Sequence, residues 1–301
     1  MIKQISPTFL ELATRLRSAC VSATQRTLWR HILLALLSGV GGASLASAQV
    51  SITAGINPRA VAINPVTNKI YVANVNSANV TVIDGANNTT ATVTVGTTPF
   101  AVAVNPVTNK IYVANYSSNN VTVIDGSNNT TSTVAAGTTP FAVAVNPVTN
   151  KIYVANLNSA NVTVIDGGTN KVVTVAAGTT PHVVAINPVT NRIYVANFSD
   201  NSVTVIVGAT NSATTVAAGT NPYAVAVNTM TNKIYVPNYS DNNVTVIDGA
   251  NNKVVATVAA ETSAAAVAIN PLTNKIYVAN YSSNTITVID PVPTAIARKL
   301  Y

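Results

Sequence analysis

The residues best suited to bind a ligand occupy one repeated position in the sequence, at spacings of 41 or 42 residues. The set consists of Arg59, Phe100, Phe141, His182, Tyr223 and Ala265. Aromatic walls with a few polar groups are typical of ligand sites. We therefore predict that Arg59, Phe100, Phe141, His182 and Tyr223 bind a ligand. The alternative is that these aromatic side chains only fill a channel or lie on loops.

Side chains for catalysis are scarce. After residue 48, His182 is the only histidine and there is no cysteine, which is too few for a metal site built from these residues. The sequence has no Gly-x-Ser-x-Gly elbow and no P-loop or dinucleotide fingerprint. We expect no catalytic residue, no metal and no cofactor. The alternative function is a lactonase-like hydrolase or lyase with its site at a channel mouth.

The composition favours a folded β protein. The chain is 48% hydrophobic and only 8% charged, whereas disordered chains combine few apolar residues with much charge. Its many valine and threonine residues fit a pleated surface. The formal charge of +7 is concentrated at the N-terminus, since residues 1–48 hold five of the 16 basic residues and one of the nine acids. The remaining +3 does not suggest a nucleic-acid partner, which would need a dense basic face.

Internal repetition is the dominant signal. The block Asn64-Pro-Val-Thr-Asn-Lys-Ile-Tyr-Val-Ala-Asn74 recurs in similar form from Asn105, Asn146, Asn187, Asn228 and Asn270. Four intervals are 41 residues long and the last is 42, with the extra residue near Ala256. Periods of this length are typical of solenoids, propellers and repeat arrays. The repeats begin near residues 55, 96, 137, 178, 219 and 261.

Each repeat is predicted to form four short strands. In the second repeat these are residues 101–104, 110–114, 121–124 and 131–135. The first three are apolar or small on both faces and the fourth is more polar, as expected when only the outermost strand of each sheet is exposed. Four strands in 40–45 residues are typical of a propeller blade. The fold class is therefore all-β: a six-bladed β-propeller of four-stranded blades.

The ring needs a closing strand. Residues 50–53 resemble the fourth strand of a repeat, and we expect them to pair with the last repeat near residues 286–289, which leaves no free edge. The tail at residues 294–301 could take the same place.

The repeated Lys-Ile-Tyr-Val-Ala-Asn and Val-Thr-Val-Ile-Asp-Gly segments resemble the YVTN-repeat β-propeller proteins of bacterial and archaeal surfaces. The resemblance covers residues 50–290. Tyr-Val-Ala-Asn stands at the signature position, and Tyr-Val-Pro-Asn at Tyr235–Asn238. Many members of this family look seven-bladed, whereas this chain has six repeats. The resemblance implies a binding or surface role and carries no catalytic residues to this chain.

The inner strand of a blade lies nearest the propeller axis, so the ligand-binding set should surround one mouth of the central channel. Variable residues that follow the second strand of each repeat should lie on the same face: Val75, Tyr116, Leu157, Phe198, Tyr239 and Tyr281, with Asp200 and Asp241 nearby. We predict a non-enzymatic binding, protein-interaction or cell-surface protein, most simply a monomer. Its partner would be a protein, a glycan or a small molecule.

Two further repeated sets are interpreted as structural. The tyrosines of the second strand should lie in the core: Tyr71, Tyr112, Tyr153, Tyr194, Tyr235 and Tyr277. The basic residues that begin this strand should each pair with an acid of the next strand, as Lys69 with Asp84, except that Arg192 faces Val207. Most acids of the repeats occupy this turn position: Asp84, Asp125, Asp166, Asp248 and Asp290. The pairing would neutralise a ring of positive charge.

The N-terminus has the layout of a secretory signal peptide. Arg26 and Arg30 precede an apolar run at residues 32–37, and Ala46-Ser-Ala48 forms an A-x-A cleavage site. We expect residues 1–48 to be the signal peptide and residues 49–301 a single exported propeller domain, periplasmic, extracellular or on the cell surface. The segment is long for a signal peptide, which suggests a start near Val21. An uncleaved anchor is the alternative.

Overall fold

The computed structural model describes residues 50–291, which form strands and turns. The predicted signal peptide and the tail at residues 294–301 lie outside the described residues. Among residues 50–291 no helix is long and apolar enough to cross a membrane.

The strands occur in the predicted order. They are β1 (Pro58–Asn64), β2 (Lys69–Asn74), β3 (Asn79–Asp84), β4 (Thr90–Thr94), β5 (Pro99–Asn105), β6 (Lys110–Asn115), β7 (Asn120–Asp125), β8 (Thr131–Ala135), β9 (Pro140–Asn146), β10 (Lys151–Asn156), β11 (Asn161–Asp166), β12 (Val172–Ala176), β13 (Pro181–Asn187), β14 (Arg192–Asn197), β15 (Ser202–Val207), β16 (Ala213–Ala217), β17 (Ala226–Asn228), β18 (Lys233–Asn238), β19 (Asn243–Asp248), β20 (Lys253–Ala259), β21 (Ala264–Ile269), β22 (Ile276–Asn280) and β23 (Thr285–Ile289).

These strands form six antiparallel sheets. Five have four strands each, in chain order from β1–β4 to β17–β20, and the sixth has the three strands β21–β23. The chain is therefore a six-bladed β-propeller, as predicted, and each sheet is one blade. The extra residue of the last interval forms an irregularity in β20, where the pairing with β19 shifts between Val254 and Ala256.

The many asparagines have a backbone role. In the second blade Asn109, Asn119 and Asn129 have positive φ values of 54°, 53° and 62°, and equivalent residues of the other blades do the same. Among residues with a side chain, asparagine tolerates this left-handed conformation best. The tight turns between strands therefore account for a composition that is rich in asparagine.

The core lies between blades. Tyr71, Val80 and Val82 of the first blade pack against Ile111 and other apolar residues of the second. Corresponding clusters fill the next four contacts between blades. Each blade thus has a "tyrosine face" toward the following blade, formed by residues equivalent to Tyr71, Val80 and Val82. Its "isoleucine face" toward the preceding blade is formed by residues equivalent to Val102, Val104, Ile111 and Ile124.

Two hydrogen bonds accompany most of these contacts. Asn64 Nδ2 donates to Asn109 Oδ1 of the next blade over 2.9 Å, and the equivalent bond forms at all five contacts over 2.8–3.1 Å. Lys69 Nζ donates to the Gly126 carbonyl oxygen over 2.9 Å. Lys110 and Lys151 repeat that bond in the next two blades. We call each contact between consecutive blades, with these bonds, a junction.

Within residues 50–291, the predicted closing strand is not formed. Residues 50–57 form no strand, and β23 has β22 as its one neighbour in the described sheet. The physical reason is that the first and last blades leave faces open to solvent. Val61 of β1 is 64% exposed and Ile286 of β23 is 58% exposed. The last sheet therefore has no first blade beside it to supply a fourth strand.

The same open face corrects the prediction for the tyrosines. Five of them are buried, from Tyr71 to Tyr235, whereas Tyr277 is 38% exposed because no blade covers the tyrosine face of the last sheet. Burial raises the pKa of Tyr112 and Tyr153 to about 12.

Candidate binding site

Four of the five predicted binding residues sit in β-bulges at the start of the inner strands, and Tyr223 instead precedes β17, next to an isolated bridge between Pro222 and Asn238. The pairing of β1 with β2 shifts between Pro58 and Ala60, so that Arg59 is the extra residue. The pairing shifts in the same way at Phe100, at His182 and at Phe141, each of which is the extra residue of its strand. A bulge redirects the side chain of its extra residue. The preceding proline lacks an N–H and is tolerated there because the pairing is already interrupted.

These side chains meet in one continuous row. The Arg59 guanidinium carbon lies 3.5 Å from the centre of the Phe100 ring. Ring centres are then 4.6 Å apart for Phe100 and Phe141, 4.5 Å for Phe141 and His182, and 4.6 Å for His182 and Tyr223. The structure therefore brings together five residues from five blades. We call Arg59, Phe100, Phe141, His182 and Tyr223 the aromatic row.

Residues after the second strands flank the row. Tyr116 lies 5.3 Å from Phe100, and Tyr239 lies 5.4 Å from Tyr223, between ring centres. Phe198 lies 6.0 Å from His182. These positions were predicted to share the face with the row, and the distances place these three there. Tyr281, at the same position of the sixth blade, is 74% exposed.

His182 has a defined electrostatic environment. Its Nδ1 lies 3.0 Å from the carbonyl oxygen of Tyr223. Burial lowers the pKa of His182, the Tyr223 carbonyl acts in the opposite direction, and the Arg59 charge lowers it further. The neutral imidazole therefore serves as another flat ring of the row, with Nδ1 as the donor to Tyr223 in the tautomer that this contact favours.

The nearby acids stabilise loops. Asp200 accepts a hydrogen bond of 3.0 Å from the Thr179 hydroxyl, and Asp241 accepts one of 2.7 Å from the Thr220 backbone N–H. Within residues 50–291 no three histidine, cysteine or acidic side chains are grouped as metal ligands. The row offers ring faces, one guanidinium and one imidazole.

The row forms a surface of mutually packed rings. Its five members are partly exposed, and each ring has part of its face against a neighbour. Two shallow cavities, of about 190 and about 210 Å³, lie elsewhere, beside Asp125 and beside Asp241, and no member of the row lines them.

The lysines differ from the prediction in their partners. The predicted strand register is confirmed, with Lys69 opposite Asp84 and Arg192 opposite Val207. Among the described residues, however, only Lys233 and Lys275 form ion pairs, with Asp248 at 3.1 Å and Asp290 at 3.0 Å. Lys69, Lys110 and Lys151 instead donate across junctions.

Asp84 and Arg192 also have partners other than the residue opposite them in the strand register. Asp84 Oδ1 accepts the Ala86 backbone N–H over 2.8 Å, which is a turn contact. Arg192 donates to Asn252 Oδ1 of the next blade over 3.3 Å. Sequence reasoning missed the partners of the lysines and of Arg192 in the next blade, because these lie about one and a half repeats away along the chain. For the three lysines that donate across junctions, the available signal was the glycine after the third strand, whose carbonyl oxygen accepts the bond: Gly126, Gly167 and Gly208.

Comparison with known proteins adds little to this picture. No protein-family model matches the sequence, and no curated protein matches it. Among solved structures, the chain is similar to a chain of Kuenenia stuttgartiensis hydrazine synthase. The two share 19% identity over 82% of this chain and 99% of that chain, with a TM-score of 0.47.

Proposed function

We propose that this chain is an exported, non-enzymatic binding module of the YVTN-repeat type that captures its partner on the aromatic row. The observation that carries the proposal is the contact of five side chains of four types, each from a different blade, at one position of the repeat where the residue changes between blades. The fold requires a core residue at its constant positions. The fold does not require a particular residue at the position of the aromatic row, so that position is free to vary for recognition of a partner.

The shape of the row supports an extended partner. A small molecule is usually enclosed in a cavity, whereas the rings here pack on one another and present a continuous partly exposed surface. Aromatic and arginine side chains contribute most of the energy in many protein interfaces. A polypeptide or a glycan chain that lies along the row would contact several blades at once. The periplasm or the cell surface is the proposed location.

The test is a binding screen with matched variants. The fluorescently labelled mature protein is applied to immobilised glycan and peptide arrays, and each signal is repeated with Phe141→Ala, Tyr223→Ala and Tyr281→Ala. We expect the first two variants to weaken binding by about tenfold or more, equivalent to about 1.4 kcal/mol. Tyr281→Ala should bind like the wild type because Tyr281 lies outside the row.

Circular dichroism and urea unfolding of each variant show whether the fold is kept. Array signals that survive both Phe141→Ala and Tyr223→Ala in folded protein would contradict the proposal. Turnover of a lactone by the purified protein would replace it with the enzymatic alternative.

A further inference from the structure

The first and last blades present the two halves of an unformed junction. At every internal junction a tyrosine face covers an isoleucine face. The last blade leaves its tyrosine face open, where Ile286 and Val288 are 58% and 49% exposed although the equivalent Val80 and Val82 are buried. Solvent exposure of apolar residues in one contiguous patch marks a site of association.

The first blade leaves the complementary face open. Val61 and Ile63 of β1 are 64% and 60% exposed. Their equivalents in the second blade, Val102 and Val104, pack against the tyrosine face of the first blade. The exposed residues of the first blade are therefore of the kind that a tyrosine face covers elsewhere in the same chain.

The polar groups of the two ends are complementary as well. Asn270 occupies the donor position of the asparagine bond, and its Nδ2 has no partner within residues 50–291. Asn68 and Gly85 of the first blade occupy the two acceptor positions, equivalent to Asn109 and Gly126. Gly85 is exposed whereas Gly126 is buried. The last blade thus carries a hydrogen-bond donor, and the first blade carries acceptors, that would match if the two faces formed a junction.

The backbone pattern extends this complementarity to a strand. Residues 51–55 correspond in sequence to residues 92–96, which include the end of β4 and the glycine after it. In the first blade that segment is the outer strand and leads directly into the inner strand of the second blade. The sheet β21–β23 has no such outer strand among the described residues. Addition of an extended segment to an open sheet edge is a common mode of recognition.

We propose that a second copy of this chain docks head to tail, with the isoleucine face of its first blade on the tyrosine face of the last blade. Residues 51–54 of the second copy then complete the sheet β21–β23. The junction gains the bond from Asn270 to Asn68. The contact is heterologous, because it joins two different faces of the chain. Each dimer therefore keeps one uncovered tyrosine face and one uncovered isoleucine face, so the contact can repeat. A heterologous contact that does not close into a ring generates a helical filament.

The internal junctions favour a second copy over closure of the ring by one chain. All five form the asparagine bond within the narrow range of 2.8–3.1 Å, and with that geometry the two end faces remain exposed. Closure within one chain would have to bring the first and last blades together from this arrangement, whereas a second copy can cover the two exposed faces as they stand. This inference is independent of the aromatic row, and it is an alternative to the monomer that the sequence suggested.

Single-cysteine variants test the contact directly. Asn68→Cys and Asn270→Cys are made separately in a Cys20→Ser background, mixed under mild oxidation and separated without reductant. The variant with both Asn105→Cys and Asn150→Cys is the control, because it places the same pair at an internal junction. We expect a disulfide-linked dimer in the mixture and little from either variant alone.

A variant that carries Asn68→Cys and Asn270→Cys in one chain distinguishes the two arrangements. Disulfide-linked oligomers support head-to-tail docking. A cross-linked monomer would overturn the proposal in favour of a closed ring. Absence of any cross-link, while the internal control pair cross-links, would also overturn it.

Sedimentation velocity gives an independent measurement. The wild type should sediment faster as its concentration rises, and Ile63→Asp or Val288→Asp should abolish this change because either places a charge in the apolar contact. Both side chains are exposed in the single chain, so the variants should fold. Val66→Asp is the matched control, since Val66 is 74% exposed in a turn outside both faces. A wild type that stays monomeric at all concentrations would contradict the proposal.

Discussion

Lys110 of the second blade reaches the third blade, where its Nζ donates a hydrogen bond of 3.0 Å to the carbonyl oxygen of Gly167. Gly167 is buried in this junction, whereas Lys110 is partly exposed. The bond therefore gives a buried backbone acceptor a charged partner. Lys275 has the same position in the sixth blade and pairs with Asp290 of its own blade instead.

Replacement of Lys110 by methionine should destabilise the fold. The change keeps the aliphatic stem and leaves the Gly167 carbonyl without its donor, which should lower the free energy of unfolding by about 1–2 kcal/mol. Lys275→Met removes an exposed, solvent-screened ion pair and should lower the free energy of unfolding much less than Lys110→Met does. Urea unfolding of the two variants measures the difference. Equal losses would show that the bond across the junction contributes nothing specific.

The lysines should not make the protein a polyanion binder. Lys69, Lys110 and Lys151 are held in junctions, while Lys233 and Lys275 are paired with acids. We expect the mature protein to elute from a heparin column at or below physiological salt, since retention at higher salt requires several free phosphate- or sulfate-binding cations. Retention well above that salt concentration would disprove this prediction.

His182 should make stability depend on pH. Its pKa is lowered in the folded protein, so the unfolded chain binds the proton more readily. The stabilisation is therefore present above the pKa of the unfolded state, near 6.5, and is lost as the pH falls through the lower folded value. We expect the free energy of unfolding to decrease between about pH 7.5 and about pH 5.5.

The control for this pH dependence is His182→Phe, which places in the row the residue found at the same position of the second and third blades. The variant should lose most of the decrease over this range, because the carboxylates titrate mainly at lower pH. Urea titrations at several pH values measure both proteins. An unchanged pH dependence in His182→Phe would assign the effect to another group.

Two adjacent glycines should differ sharply in their tolerance of alanine. A Cβ on Gly167 would lie 2.8 Å from the backbone oxygen of Asn150, which cannot move without disturbing its turn, whereas a Cβ on Gly168 would meet only Asp166 at 3.3 Å. We expect Gly167→Ala to cost about 1–3 kcal/mol and Gly168→Ala to remain within about 0.5 kcal/mol of the wild type. Thermal unfolding compares them, and a similar loss in both would refute the steric argument.

Export can be tested by mass. If residues 1–48 are a signal peptide, the exported protein should begin at Gln49, and intact mass spectrometry of material from the periplasm or medium gives its N-terminus. A membrane-bound product that keeps residues 21–48 would support the uncleaved anchor.

The sequence was sufficient to predict the blades because each strand repeats a local pattern. The predicted strands at residues 110–114 and 121–124 differ from β6 and β7 by a residue or two at an end. Burial was harder to predict because it depends on the neighbouring blade. Tyr277 and Tyr71 share a local sequence, yet only Tyr71 has a blade over its face.

The aromatic row was likewise predictable only in part. Variation at one repeated position pointed to the side chains of the aromatic row, and the proximity of inner strands to the axis indicated where they would lie. The contacts between rings depend on bulges at positions such as Arg59, which alternation along a strand does not reveal. The partners of Lys69 and Lys110 depend on how consecutive blades pack, information that no single repeat contains.

The uncovered faces of the first and last blades also determine where the protein is weakest. In a repeat protein, stability is close to a sum of contributions from each repeat and from its contacts with neighbours. The four inner blades each have two such contacts and the end blades have one. Partial opening should therefore begin at the two ends and progress toward the centre, so that limited proteolysis should cut the terminal blades first.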